Sequence, residues 1–236
     1  MSIEEENAAE TEMTAEMRMK HPLQNVWSLW FYKNDRTKTW EENLTEIASF
    51  DTVEDFWALY NHIELVAKLP LGCDYALFKQ GIKPMWEDER NKQGGRWLIN
   101  FQKYHANPDL NSCWLEILLC MIGEAFDDYG EDVCGAVVQV RGKVDRLALW
   151  TASAENKQAI RRIGEILKER LHLLHRNGIW CEVLSKEANE RYIKDNHSPG
   201  KYRANIPLIN SPEFSSVFNC PVGTPMNPAK KCKLWG

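Results

Sequence analysis

No stretch of these 236 residues is both long enough and free enough of charge to cross a bilayer, and the mean hydropathy of -0.49 agrees, so a membrane role is not expected. The opening residues, MSIEEENAAETEMTAE, carry no apolar segment behind a basic one, so no secretory signal is expected there. No C-x-x-C pair occurs among the seven cysteines (73, 113, 120, 134, 181, 220 and 232), their number is odd, and several lie inside apolar runs. That pattern speaks against a zinc site or a disulfide framework, and for reduced, buried thiols in a cytosolic or nuclear protein. A phosphate-cradling glycine loop, a nucleophile–base pair and a second acidic cluster beside Glu87, Asp88 and Glu89 are also missing, so neither an enzyme nor a bound metal or cofactor is expected.

A basic excess is lacking as well: the formal charge is -5, which argues at first against a nucleic-acid partner. The charge is unevenly placed. Residues 1–16 hold six Glu and no Lys or Arg, and without them 28 acidic residues face 29 basic ones. A near-neutral body cannot grip a long polyanion along its whole surface, but it can hold a few phosphates in one local patch. The chain divides into an acidic tail at 1–20, expected to be disordered, a domain at 21–204, and a mostly unstructured tail at 205–236 with five Pro and little periodicity.

Within the domain, LQNVWSLWFY (23–32), CDYALFK (73–79), RWLINFQ (96–102) and IWCEVL (179–184) read as strands. VCGAVVQVR and VDRLALWTA, separated by Gly142-Lys143, read as a hairpin. Thr52 followed by Val53, Glu54 and Asp55 is a capping signal that opens a helix over TVEDFWALYNHI. Residues 110–126 predict a second helix, and ENKQAIRRIGEILKERLHLL a third with Ile160, Ile163, Ile166, Leu167 and Leu171 on one face. Antiparallel hairpins interleaved with three helices point to an α+β domain with the helices on one sheet face.

Two features stand apart. Trp40 in NDRTKTWEEN and Trp86 in KPMWEDER lie in polar loops, where a core does not ask for an indole. Either ring alone more often packs back onto its own domain. Two of them in separate loops, with a basic hairpin nearby, shift the balance toward a site that stacks a flat ligand. The second feature is CWLEILLCMI, apolar almost all round with Glu116 its single charge. Such a helix is either buried on every side or covered by a partner, and on one face of a sheet its outer side must meet something.

The blocks HPLQNVWSLWFYKNDRTKTW, FDTVEDFWALYNHI, CDYALFKQGIKPMWEDERNKQGGRW, WLEILLCMIGEAFDDY and DVCGAVVQVRGKVDRLALWT, in order from about His21 to Leu173, resemble the eukaryotic translation initiation factor 4E family. The resemblance implies a curved antiparallel sheet backed on its convex face by three long helices. It also implies binding of the 7-methylguanosine cap of messenger RNA and recruitment of that message to the translation machinery through a scaffold protein. A cap-binding repressor of the same fold is the alternative. A third class, a cap hydrolase holding a metal on Glu87, Asp88 and Glu89, is disfavoured by the missing catalytic groups.

By the same resemblance, Trp40 and Trp86 are the two plates that hold the cationic base. Glu87 accepts the base N–H donors at N1 and N2 while the Trp86 backbone N–H meets O6. Trp150 touches the N7 methyl, Arg141, Lys143 and Arg146 hold the triphosphate, and Arg96 joins through water. Arg141 and Lys143 are expected to share a face of the hairpin by period two. Asp88 and Glu89 read as a solvated acidic loop. His21, Pro22, Val53, Trp57, Leu115, Glu116, Leu119 and Gly123 match the surface that takes helical peptides of the scaffold initiation factor 4G and of 4E-binding repressors, with Leu118 and Ile122 left to the core. Val53 and Trp57, like Leu115 and Leu119, are i, i+4 pairs on one helical stripe. Beyond Leu173 the resemblance fades. Lys201 and Arg203 are candidates for a basic phosphate loop without a secure match, and Gln139 stands where a relative usually has another amide, with weak consequence expected.

Overall fold

The computed structural model describes residues 20–103, 110–171 and 179–183. The expected tails, the far end of the third helix beyond Leu171, and Lys201 and Arg203 lie outside the described residues. In chain order the elements are β1 (Pro22–Tyr32), α1 (Trp40–Asn43), β2 (Leu44–Thr52), α2 (Val53–His62), β3 (Asp74–Lys79), β4 (Gly95–Gln102), α3 (Leu110–Ile122), β5 (Val133–Gln139), β6 (Val144–Thr151), α4 (Lys157–Arg170) and β7 (Ile179–Val183). The strands form one curved, unclosed sheet in the order β2-β1-β3-β5-β6-β4-β7, with every neighbour antiparallel. The expected α+β fold, with three long helices behind an antiparallel sheet, is what forms.

Strand alternation sorts the side chains into two layers. Trp27, Leu29, Tyr75, Leu77, Trp97, Ile99, Ala136, Val138, Leu147 and Leu149 face the helices and pack with Phe56 of α2, Trp114, Ile117 and Met121 of α3, and Ile160, Ile163 and Leu167 of α4. The opposite, concave face carries a smaller apolar cluster of Ala76, Phe78, Ile82, Leu98, Cys134, Val137, Ala148 and Trp150. Among the described residues no helix covers that second face, which leaves its polar neighbours available to a ligand.

The helices form where the signals ask for them. Thr52 caps α2 by accepting from the Asp55 backbone N–H at 3.2 Å, and Asn156 caps α4 by accepting from Ala159 at 3.2 Å. On α4 the apolar stripe is as expected, with Ile160, Ile163, Ile166 and Leu167 buried. Gly164 lets this helix lie close on the sheet: a Cβ there would sit 2.4 Å from the Trp97 ring, whose Nε1 donates to the Ile160 carbonyl at 3.2 Å.

Two elements were not expected, α1 and β2. β2 is an edge strand whose Thr45, Glu46, Ile47 and Ser49 are exposed, so it lacks the alternation that marks a half-buried strand. The second helix is shorter than the expected 110–126: α3 stops at Ile122, and Glu124 (φ 51) and Asp127 (φ 52) turn left-handed, leaving residues 127–132 as a 3₁₀ helix.

Candidate nucleotide-binding site

At one end of the concave face lies a cavity of about 680 Å³. Trp40, Trp86, Glu87, Arg141 and Trp150 line it together with Tyr32, Asp74, Met85 and Gln139. Trp40 and Trp86 reach it from different loops and are among the most exposed large apolar side chains, at 45% and 36%. Each is anchored by its backbone and not by burial of its ring.

Trp40 opens α1. Thr39 caps that turn reciprocally with Glu42: the Thr39 N–H donates to Glu42 Oε2 at 2.7 Å and the Glu42 N–H donates to Thr39 Oγ1 at 3.3 Å. Asn43, buried, donates to the Asp35 carbonyl at 2.8 Å and accepts from the Asp35 N–H at 3.2 Å, which closes the loop leading in from β1. Asp35 in turn accepts from the Thr37 hydroxyl (2.6 Å) and N–H (2.9 Å), and these bonds lower its carboxyl below the usual range. The Trp40 ring leans on Tyr32 with centroids 5.9 Å apart.

The Trp86 loop is held from inside by two residues. Asn91 is fully buried and donates to the carbonyls of Lys83 (2.8 Å) and Met85 (2.9 Å). Asp88 accepts the backbone N–H of Lys83 at 3.0 Å and of Arg90 at 2.9 Å. The reading of Asp88 as a solvated charge is therefore corrected: it folds the loop. Glu89 pairs with Lys92 at the surface, and Glu87 is exposed on the cavity wall with no partner among the described residues.

The basic residues are spread more widely than their spacing suggested. Strand β5 ends at Gln139 and β6 begins at Val144, so Arg141 and Lys143 stand in the turn, where period two does not apply. Arg141 lines the cavity, whereas Lys143 is exposed and does not line it. Arg146 lies on β6, on the same face as Ala148 and Trp150, and Arg96 on β4 is in register with Trp150. Trp150 is buried, and its ring meets Phe78 edge-on at 5.6 Å. Across four strands the register aligns Asp74, Gln139, Arg146 and Asn100 in one row. Asp74, which the sequence does not single out, and Gln139, of which only a weak consequence is expected, both line the cavity.

On the helical side, the second set of expected residues falls on two stretches, His21 to Trp57 and Leu115 to Gly123. The Val53 N–H donates to the His21 carbonyl at 2.9 Å, and His21 bonds Glu54 through its backbone N–H (2.9 Å) and Nδ1 (2.6 Å). Pro22 is exposed at the head of β1. Lys20, one residue before the expected boundary, pairs with Asp55 at 2.7 Å. Trp57 is 37% exposed, edge-on to Phe56 at 5.0 Å and to Tyr60 at 5.9 Å. Leu115 and Leu119 are half-buried on the outer side of α3, while Leu118 and Ile122 belong to the core. Glu116 pairs with Arg170 of α4 at 3.2 Å. Gly123 is needed for packing, since a Cβ would lie 2.8 Å from the Leu119 carbonyl oxygen.

The family model described as eukaryotic initiation factor 4E matches residues 22–198. The chain belongs to the eukaryotic initiation factor 4E family. Human eukaryotic translation initiation factor 4E is 60% identical over 174 residues, covering 73% of this chain and 80% of that protein. Zebrafish (Danio rerio) initiation factor 4E-1A is 64% identical over 153 residues, covering 65% and 71%. Among solved structures, Ascaris suum eIF4E-3 with m7G cap has a TM-score of 0.69 at 51% identity, covering 71% of this chain and 93% of that one. The C. elegans eIF4E-3 complex with the 4E-binding protein Mextli and cap analog has a TM-score of 0.67 at 50% identity, covering 70% and 93%.

Proposed function

We propose that this initiation factor 4E homologue binds the 7-methylguanosine cap of messenger RNA in the cavity between Trp40 and Trp86, and delivers the message to the translation machinery through a scaffold peptide docked on α2 and α3. The observation that carries the reading is two exposed indoles, presented by two separately braced loops, on the wall of one cavity. A base methylated at N7 is both flat and cationic, so it gains about 1–3 kcal/mol by stacking and about 0.5–2 kcal/mol by cation–π attraction. Unmethylated guanine keeps the first term and loses the second.

The rest of the wall suits the rest of the ligand. Glu87 offers a carboxylate to the adjacent N–H donors of guanine, and the Trp86 backbone N–H has no partner among the described residues and is a donor for O6. Trp150 forms the floor beside the N7 methyl. Arg141, Lys143 and Arg146 supply cations for the phosphates, with Arg96 further along the face. His21, Pro22, Val53, Trp57, Leu115, Glu116, Leu119 and Gly123 form the peptide surface, with Trp57 as its aromatic anchor in a helix-in-groove contact. The same surface suits both the scaffold initiation factor 4G and 4E-binding repressors.

The role is binding without chemistry. The acidic triplet weighed for a hydrolase is divided among three tasks: Asp88 folds its loop, Glu89 meets Lys92, and Glu87 faces the cavity alone. Titration with 7-methyl-GTP and GTP, followed by tryptophan fluorescence, tests the reading. Strong quenching by the methylated ligand alone is expected, and no quenching by either would end it.

A further inference from the structure

A carboxylate on the wall of a cavity that takes phosphates looks misplaced, because like charges repel. Asp74 is such a group: it stands at the start of β3, 8% exposed, and lines the same cavity as Trp40 and Trp86. Its contacts resolve the conflict. Arg141 Nη1 donates to Oδ1, Arg141 Nη2 donates to Oδ2 at 2.9 Å, and Gln139 Nε2 donates to Oδ2 at 3.1 Å. The carboxylate is thus neutralised by one cation and steadied by its in-register neighbour on β5. The same pairing raises the Arg141 pKa above its ordinary value.

A guanidinium has five N–H donors in a fixed plane. In Arg141 both hydrogens of Nη1 are taken, one by Asp74 and one by the Val140 carbonyl at 3.0 Å. One hydrogen of Nη2 is taken by Asp74. The second Nη2 hydrogen and the Nε hydrogen remain, side by side on one edge, with no partner among the described residues. The Arg141 backbone is fixed as well, its N–H donating to Asp145 Oδ1 at 2.8 Å.

We propose that Asp74 is a positioning residue: by occupying the end of the Arg141 guanidinium, it turns the Nε/Nη2 edge toward the ligand as a two-pronged site for one phosphate. The proposal rests on the reading that the cavity takes a phosphate-bearing methylated guanosine. A long side chain otherwise sweeps many rotamers, and holding the fork in place removes that entropy cost from binding. Asp74 therefore supplies direction, while Lys143 and Arg146 supply uncompensated charge. Gln139 belongs to the same device, since its amide orients the carboxylate.

The test uses the full chain and its D74N, D74E, R141M and D74N/R141M variants, with 7-methylguanosine and 7-methyl-GTP as ligands. D74N should weaken 7-methyl-GTP about tenfold, the size of one charge-assisted hydrogen bond, and move the nucleoside less than about twofold. D74E should restore most of the loss, and the double variant should bind no more weakly than R141M, because Asp74 acts only through Arg141. Undiminished 7-methyl-GTP binding by D74N overturns the proposal. So does an equal loss of nucleoside and triphosphate, which is the signature of a merely structural role, or a double variant weaker than R141M. A wild-type chain that binds neither ligand removes the cap reading and the proposal with it; one that binds both, with D74N unaltered, removes the positioning role alone.

Discussion

Truncating one plate of the aromatic pair separates ligand binding from folding, because Trp40 is fixed by its backbone and not by its ring. The ring is 45% exposed, and its one aromatic neighbour among the described residues is Tyr32 at 5.9 Å. The reciprocal Thr39–Glu42 cap and the Asn43 bonds to Asp35 involve no atom of the indole. Trp40→Ala should therefore cost the fold no more than an aromatic pair, about 0.5–1.5 kcal/mol. For the ligand the loss is larger: one stacking face plus a share of the cation–π term, together about 2–4 kcal/mol. That corresponds to a Kd for 7-methyl-GTP raised about 30- to 700-fold. GTP, without the cationic ring, should lose only the stacking part, so discrimination between the ligands should shrink too. Calorimetric titration is the suitable assay, because the deleted indole is itself a fluorescent reporter, and a melting curve run beside it checks the fold. A variant within about threefold of wild type, melting normally, would mean that Trp40 is not a plate.

Glu87→Gln should weaken both 7-methyl-GTP and 7-methylguanosine with an unchanged salt slope, whereas Arg141→Ala, which leaves Asp74 unpaired beside the phosphates, should flatten the slope by about one unit; identical slopes in a salt series would contradict the assigned roles. Trp57→Ala should abolish capture of a scaffold-type helical peptide and leave cap affinity intact, as read by pull-down and titration in parallel, and losing both would show the ring to be a core residue. Gly164→Ala should destabilise the fold by about 1–3 kcal/mol, because the new methyl meets the Trp97 ring; an unchanged denaturant midpoint would show that α4 can lift off at no cost. Burial pushes the Cys134 thiol up to about 12, so at pH 8 the native protein should not be alkylated there, and stability should fall as pH rises from about 9 toward 12. Native labelling at Cys134 as fast as in urea would refute that burial.

The parts of the fold legible in the sequence are those where local chemistry and tertiary packing agree. Thr52 and the i, i+4 apolar stripe of α4 announced their helices, and Val133–Gln139 with Val144–Thr151 announced a hairpin, because each pattern is set by neighbours close in the chain. β2 escaped because an edge strand buries little: of its nine residues only Phe50 is buried. The end of α3 escaped for the opposite reason. The helix stops not for want of apolar residues but because Gly123 closes against Leu119 and Glu124 adopts a positive φ, a backbone event that hydrophobic periodicity does not encode.

The site was legible in its anomalies and not in its supports. Trp40 and Trp86 stand out because an indole in a charged loop is chemically out of place; Asp88, Asn91 and Asp74 do not, because a polar residue in a polar loop or at a strand end is unremarkable, and Gln139 stands out only weakly. Asp74 and Gln139 work through pairings across the sheet that no spacing reveals, and Asp88 and Asn91 through bonds inside their own loop. Asp74, Gln139, Arg146 and Asn100 are scattered over the chain, yet three successive antiparallel registers bring them into one row. This also explains why the net charge was a poor guide to the ligand. Arg141 is cancelled at close range by Asp74, Lys92 by Glu89 and Arg170 by Glu116, so formal charge counts cations already engaged. On the proposed reading, a phosphate meets the remainder: the open edge of one held guanidinium, with Lys143 and Arg146 as further cations. A near-neutral body can thus present a sharply positive corner, provided that the anion nearest the phosphates is held by a cation, as Asp74 is by Arg141.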